Sequence, residues 1–349
     1  MMKIDTKKIG ENHPCFIIAE LSANHLHNLD IALQTVEAAA NAGVDAFKIQ
    51  TLTADTMTID CDNEYFTINK GTLWDGRTLY DLYSETPLPY EWHQPIIDKC
   101  IELGLIWFST PYDKTATDFL ETLNPPAYKI ASFEITDIPL IQYVASKGKP
   151  IIISTGIATK EEIDDAVSAC KKSGNDQIAL LKCTSAYPAP YDEINLRMIE
   201  EYKNEYGVIS GLSDHTLGTE VPVASVALGA SIIEKHMILD RNLGGPDAAF
   251  SLEPHEFKTL VQQVRNVEKA VGTVTYELTD KVKANRMFSR SLFVVKDIKK
   301  GEAFSENSVR SIRPGDGLPP KHYNGVIGKL ATTDIERGTP LNENHIEDF

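Results

Sequence analysis

Eight mostly apolar runs of six to eight residues recur along the first three quarters of the chain. They are CFIIAEL (15–21), AFKIQT (46–51), IWFSTP (106–111), AYKIAS (127–132), PIIIST (150–155), IALLKCTS (178–185), VISGLSDH (208–215) and SIIEKHM (231–237). Each is apolar on both faces, the pattern of a strand buried in a parallel sheet. Between them lie stretches with helical spacing, at 29–42, 115–123, 160–172, 196–206 and 257–271, several behind a helix-starting residue such as Thr159 before KEEID. Eightfold alternation of strand and helix predicts a (β/α)8 TIM barrel. A doubly wound open sheet is the alternative, and its dinucleotide-binding form loses support because no GxGxxG follows the first run.

One connection breaks the rhythm. Residues 52–105, including DNEYFTINKGTLWDGRTLYDLY, form a long insertion. Loops of that length are uncommon unless functional, and after a second barrel strand this one falls at the catalytic face. Its Tyr65, Phe66, Trp74, Tyr80 and Tyr83 are candidates for a pocket wall, or simply for the loop's own core. After Gly272 the pattern changes. Residues 273–290 read as a linker with a charged helical stretch, DKVKANR, and 291–349 as a small β-rich domain with alternating strands and turns. Its KGE and RGT turns suggest a weak internal duplication. The expected organisation is a catalytic barrel over 1–272, a linker over 273–290 and a small domain over 291–349. Some 60 residues make a marginal independent domain, so docking on something else is expected.

Composition narrows the class. The 349 residues are 42% hydrophobic and 24% charged, which excludes a disordered chain. No apolar run approaches a membrane span, and the first residues, MMKIDTKKIG, have no signal-peptide core. Five scattered cysteines without CxxC spacing argue for a reducing, cytoplasmic setting and against a cysteine zinc site. The formal charge is −16, so no nucleic-acid or anionic-membrane partner is expected. An anionic substrate must then be held by local cations.

In a barrel the C-terminal strand ends converge on one mouth. Here they supply Glu20, Lys48, Gln50, Thr110, Lys129, Ser132, Glu134, Ser154, Ser185, Ser213, Asp214, His215, Glu234 and His236. Any one strand end is polar because it exits to water. The whole set, with lysines inside apolar strands, is harder to explain that way, since burying charge unpaired is costly. His215 and His236 end consecutive strands, and two imidazoles with open positions suit a divalent metal, with water or substrate oxygens completing the shell. The lysines and hydroxyls suit a phosphate or carboxylate. A lysine could alternatively form a Schiff base with a carbonyl substrate. Glu20 and Glu134 are candidates for acid–base work or for ligating a sugar hydroxyl or amide.

These residues sit in strings that resemble the sialic acid synthase family over essentially the whole chain. The strings are IIAELSANH (17–25), AFKIQT (46–51), FSTPYD (108–113), AYKIASFE (127–134), STGIA (154–158), LLKCTSAYPAP (180–190), GLSDHT (211–216), ALGASIIEKHM (227–237) and SIRPGDGL (311–318). The last lies in a segment similar to that family's C-terminal antifreeze-like (SAF) domain. Leu21-Ser22, the loop 71–83 and Phe133, where a glycine is usual, are most similar to the family's pseudaminic acid branch.

The resemblance implies condensation of phosphoenolpyruvate with the open-chain aldehyde of 2,4-diacetamido-2,4,6-trideoxy-altrose, with C–O cleavage and release of phosphate. N-acetylneuraminate or legionaminate synthesis is the same chemistry on another amino sugar. By the same resemblance His215 and His236 hold a divalent metal, manganese first, with magnesium or cobalt as alternatives. Glu20 and Asp247 join them as catalytic residues, Glu20 at the attacking water. Lys48, Thr110, Lys129, Ser132, Ser154, Ser185 and Ser213 bind phosphoenolpyruvate. Gln50, Glu134, Tyr187 and Arg313 serve the sugar, Arg313 from the partner copy of a domain-swapped homodimer. Ser185 stands where the family often has asparagine, and Ala248 where the sialic acid branch often has histidine.

Overall fold

The computed structural model describes residues 1–69, 71 and 74–349. Thr72 and Leu73 of the loop string 71–83 lie outside the described residues. The chain separates into two compact units, Met1–Gly272 and Thr273–Phe349.

The first unit opens with a hairpin that the hydrophobic pattern does not announce, β1 (Met2–Ile4) antiparallel to β2 (Lys7–Ile9). The eight apolar runs then appear as β3 (Phe16–Glu20), β4 (Ala46–Thr51), β5 (Ile106–Pro111), β6 (Tyr128–Ile130), β7 (Ile151–Ser154), β8 (Ile178–Lys182), β9 (Ile209–Asp214) and β10 (Ile232–His236). All pair in parallel, and β10 closes on β3 to complete a barrel. The open-sheet alternative is thereby excluded. Six of the eight runs give strands shorter than the run itself, while AFKIQT and IWFSTP are strand throughout. The sixth element stops at Ile130 because Ser132–Glu134 turns into a 3-10 helix, and the eighth stops at Lys182.

Local chemistry sets the helix boundaries. Asn28 caps the helix Leu29–Ala42 through its side chain, and Gly43 ends it at φ 87°, a conformation glycine adopts without strain. Thr159 and Glu162 form a capping box on Lys160–Lys172. Outward-facing strand residues pack on such helices in one large core that includes Ile17, Phe47, Tyr128 and Ile153. Inward-facing residues form a second core, with Phe16, Ile18, Phe108, Ile152 and Leu181 joined by Met2, Ile4 and Ile9 of the hairpin. The hairpin thus packs apolar side chains against the barrel's interior residues.

The insertion folds as short helices, Ala54–Met57, Leu79–Glu85 and His93–Glu102, with a bridge between Thr67 and Thr78. His25, just after β3, faces the Thr86 carbonyl at 3.3 Å and so ties the insertion to the barrel.

The second unit contains the helix Asp280–Asn285 and the antiparallel pair β11 (Ser291–Val294) and β12 (Val309–Ile312). The rest is turns joined by isolated bridges, less strand than alternation suggests. Leu292, Val294, Phe304, Val309 and Leu341 are among its own core. The two similar turns do correspond: Ile298 and Ile335 exchange backbone hydrogen bonds at 2.9 and 2.8 Å, and Gly301 and Gly338 both have positive φ. Among the described residues no helix is long and apolar enough to cross a membrane.

Candidate active site

Strand alternation sorts the mouth residues. On β4 the side chain of Lys48 turns inward between outward Phe47 and Ile49. On β10, Glu234 and His236 turn inward while Lys235 turns to the opposite side. A cavity results, lined by Glu20, Ser22, Lys48, Gln50, Lys129, Ser132, Glu134, Ser154, Tyr187, Ser213, His215, Glu234, His236 and Asp247. Most of the expected site is therefore brought together. Met57, Trp74, Leu82 and Tyr83 of the insertion complete one wall. Of the aromatic candidates, Trp74 and Tyr83 line the cavity, Tyr65 is exposed, and Tyr80 bonds Asp55 at 3.0 Å instead.

At the centre are two buried lysines and two buried glutamates. Lys48 Nζ lies 2.5 Å from Glu20 and 3.7 Å from Glu234, and Lys129 Nζ lies 3.4 Å from Glu234. All four side chains are at most 4% exposed. Burial disfavours the Lys48 ammonium, but Glu20 and Glu234 outweigh it and hold its pKa above the ordinary lysine value. Burial likewise opposes the Glu20 carboxylate, yet Lys48, His236 and Lys129 together hold it well below the usual range. A Schiff-base role for Lys48 loses its footing, because that chemistry needs a neutral amine.

Around this cluster stand hydroxyls. Lys48 Nζ donates to Thr110 at 3.3 Å, and Ser213 donates to Glu234 at 3.3 Å. The Ser154 hydroxyl and Glu234 Oε2 are buried without a hydrogen-bond partner, which marks the place of a polar ligand. Ser185 and Ser132 crowd Gly156: a Cβ there would fall 2.1 Å from Ser185 Oγ and 2.7 Å from Ser132 Oγ. Only glycine lets these two hydroxyls close on one point.

The two histidines meet as expected, with ring centroids 5.3 Å apart. His215 Nδ1 lies 3.0 Å from the Thr184 carbonyl, which can only accept, so in the neutral ring Nε2 carries the lone pair. Burial opposes protonation of this ring, but neighbouring Cys183 and the Thr184 carbonyl outweigh it and push the pKa up to about 9, toward the protonated form. His236 Nδ1 is buried without a hydrogen-bond partner. Among the described residues no group of three or more His, Cys, Asp or Glu side chains could hold a metal ion. The two histidines alone could anchor a divalent cation, with the other positions left to water or substrate. Asp247 lies 3.7 Å and Glu20 3.4 Å from the His236 ring nitrogens.

Of the sugar-side candidates, Gln50, Glu134 and Tyr187 line the same cavity. Gln50 donates to Glu20 at 2.8 Å, and Tyr187 packs against His215 with centroids 4.5 Å apart. Glu134 is pushed up to about 7, burial outweighing the nearby charge of Lys129. Arg313 is exposed and lies in the second unit, just after β12.

Asp214 departs from expectation. It turns away from the mouth and pairs with Lys235 at 2.5 Å, both side chains fully buried, while accepting from the Thr216 backbone N–H at 3.1 Å. Alternation from Ser213 and His215 already places it on the opposite face. Sequence reading left Glu234 without a role, although its two-residue offset from inward His236 was visible. Ser22 was also missed, and nothing in the sequence marks its backbone conformation.

A (β/α)8 barrel with its ionisable cluster at the C-terminal mouth, followed by a small separate unit, defines a class of barrel enzyme. The chain belongs to the NeuB family, whose model matches residues 35–276, and a SAF domain matches 289–347. It is 48% identical over 328 residues to a pseudaminic acid synthase of Campylobacter jejuni, covering 94% of this chain and 95% of that protein. It is 44% identical over 335 residues to a pseudaminic acid synthase of Helicobacter pylori, covering 96% and 98%. Among solved structures, the Bacillus subtilis spore coat polysaccharide biosynthesis protein SpsE aligns over 99% of this chain and 98% of its own, at 35% identity and TM-score 0.67. The chain is accordingly an enzyme of this synthase family.

Proposed function

We propose that the chain is a pseudaminic acid synthase, condensing phosphoenolpyruvate with 2,4-diacetamido-2,4,6-trideoxy-altrose and releasing phosphate. The observation that carries the reading is the buried Lys48–Glu20–Glu234–Lys129 cluster at the mouth of a barrel of this family, with the Ser154 hydroxyl and Glu234 Oε2 left without partners. The likeness to the two pseudaminic acid synthases supports the choice of sugar.

Lys48 and Lys129, with Thr110, Ser132, Ser154, Ser185 and Ser213, hold the carboxylate and phosphate of phosphoenolpyruvate. Their glutamate partners hold both lysines in place, and keep Lys48 ionised, before the anion arrives, so little reorganisation remains at the moment of reaction. Gln50, Glu134, Tyr187 and Asp247 orient the open-chain sugar so that its C1 carbonyl faces the phosphoenolpyruvate methylene. The new C–C bond forms there, leaving cationic character at the enol carbon. Water adds to that carbon, and phosphate leaves with the bridging oxygen. Glu20 is a weak base because Lys48 holds it ionised, so its part is to orient that water more than to deprotonate it. His215 and His236 would hold a divalent metal, manganese first, whose Lewis acidity would polarise the sugar carbonyl.

A swapped homodimer completes the reading, with Arg313 of a second copy reaching the sugar. Residues 270–290 are exposed throughout, Val274 and Tyr276 each 98%, which favours a covering partner. Mixing Arg313→Ala with His236→Ala protein should restore activity through mixed dimers, and failure to do so would remove Arg313 from the site.

The test of the function is phosphate release by EDTA-treated protein, with manganese added back, across a panel of amino sugars. Metal-dependent release with the diacetamido-trideoxy sugar is expected. Release with N-acetylmannosamine alone would keep the chemistry and overturn the substrate. Absence of release with every sugar would overturn the reaction.

A further inference from the structure

Ser22 lies directly after β3 and is 7% exposed at the cavity wall. Its φ is 48°, in the left-handed region that side chains with a Cβ rarely enter. A glycine would hold that backbone without strain, so the hydroxyl must contribute something there that a bare backbone does not. It donates to Asp247 Oδ2 at 2.5 Å and accepts from Gln50 Nε2 at 3.1 Å. Gln50 Nε2 also donates to Glu20 Oε1 at 2.8 Å.

The consequence follows from counting donors. With Glu20 and Ser22 both engaged, neither N–H of Gln50 remains, and its Oε1 is left as an acceptor. Asp247 Oδ2 accepts from the Ser22 hydroxyl at 2.5 Å and, more weakly, from the Ala23 backbone N–H at 3.4 Å, while its Oδ1 keeps its acceptor sites. The sugar side of the cavity therefore offers acceptors from both residues. Such a wall favours a group that only donates, such as an amide N–H. A hydroxyl can also donate to it, but its own acceptor lone pairs then face acceptors and find no donor there.

We propose that Ser22 is a specificity-determining positioning residue. Its hydroxyl fixes Asp247 and Gln50 as paired acceptors and so biases the site toward a sugar with two acetamido groups over one with a hydroxyl in place of the second. The proposal rests on the amino-sugar reading above. Deleting the hydroxyl frees a Gln50 N–H and an Asp247 lone pair, and the acceptor wall becomes mixed.

The test compares Ser22→Ala, which keeps the constrained backbone and removes the hydroxyl, with Ser22→Gly, which also relieves the backbone. Each is assayed for phosphate release from phosphoenolpyruvate with 2,4-diacetamido-2,4,6-trideoxy-altrose and with N-acetylmannosamine. In both variants the ratio of kcat/KM for the first sugar over the second should fall about five- to tenfold, the scale of one buried hydrogen bond. The KM for phosphoenolpyruvate should stay within about twofold in the same comparison. The Gly variant should melt at or above the wild-type temperature, which separates the effect from unfolding. An unchanged ratio in Ser22→Ala, or a loss confined to Ser22→Gly, overturns the proposal. Wild-type protein inactive with both sugars would instead overturn the amino-sugar reading beneath it.

Discussion

The same eight strands build two unlike ends of one barrel. Toward the hairpin, interior positions carry Phe16, Ile18, Ile106, Ile152 and Ile232, joined by Met2, Ile4 and Ile9. Toward the mouth, two to four residues further along, they carry Glu20, Lys48, Lys129, Ser154, Ser213, Glu234 and His236. Both ends are equally buried. The first holds by close packing and loss of apolar surface from water. The second holds charges that only their mutual pairing makes tolerable. The difference teaches that burial alone does not mark this chain's core. What distinguishes the two regions is whether every buried polar atom has a partner, and at the mouth several do not.

That comparison can be broken or sharpened by substitution. The largest effect belongs to neither end but to the buried pair behind the mouth. Lys235→Met should lower the free energy of unfolding by about 3–5 kcal/mol, because Asp214 is left fully buried without its partner. Urea unfolding measures it, and adding Asp214→Asn should recover most of the loss. If the single change is silent, charge pairing outside the cavity is not structural as argued.

Next come matched changes at the two ends. Ile152→Ala should lower stability by about 2–5 kcal/mol through the cavity it leaves, with KM values unchanged. Lys129→Met should do the reverse. Phosphate release should fall by about a hundredfold or more, and stability should move by no more than about 1 kcal/mol, since Lys48 still faces Glu234. Equal stability losses would erase the distinction between the ends.

A smaller effect is read through pH. Glu134 binds its proton more tightly folded than unfolded, its pKa being pushed up to about 7 from 4.5. Its contribution is therefore fully present below about pH 4.5 and is lost as pH rises toward 7. Glu134→Gln should match wild type at pH 4 and exceed it above pH 7 by at most about 3 kcal/mol. A difference that grows toward acid would contradict the buried, neutral carboxyl. The smallest change is expected at Phe133, which is 56% exposed at the cavity rim. Phe133→Gly should alter stability by about 0.5 kcal/mol or less and show only in the sugar KM.

The barrel was legible because parallel strands buried on both faces read as continuous apolar runs, and all eight did. The hairpin was not, because MKI and KKI are too short for any period to register. At the site, residue types at strand ends marked Lys48, Lys129, His215 and His236, but their pairing is a property of neighbouring strands and not of any one. Strict alternation would have placed Asp214 outside and Glu234 inside. Ser22 could not be found that way, since its part depends on a left-handed φ and on Asp247, more than two hundred residues away. In the second unit, alternation overstated the strand content because single bridges and turns, not ladders, join most of its segments.

The central claim is that the mouth brings the phosphoenolpyruvate enol carbon, the sugar carbonyl and a water together, so that phosphate departs by C–O cleavage. Phosphoenolpyruvate carrying oxygen-18 at the bridging position tests it most directly, with the released phosphate weighed by mass spectrometry. The account predicts that the label leaves in the phosphate. Label retained in the sugar acid, with unlabelled phosphate, would place the break at the P–O bond and contradict it.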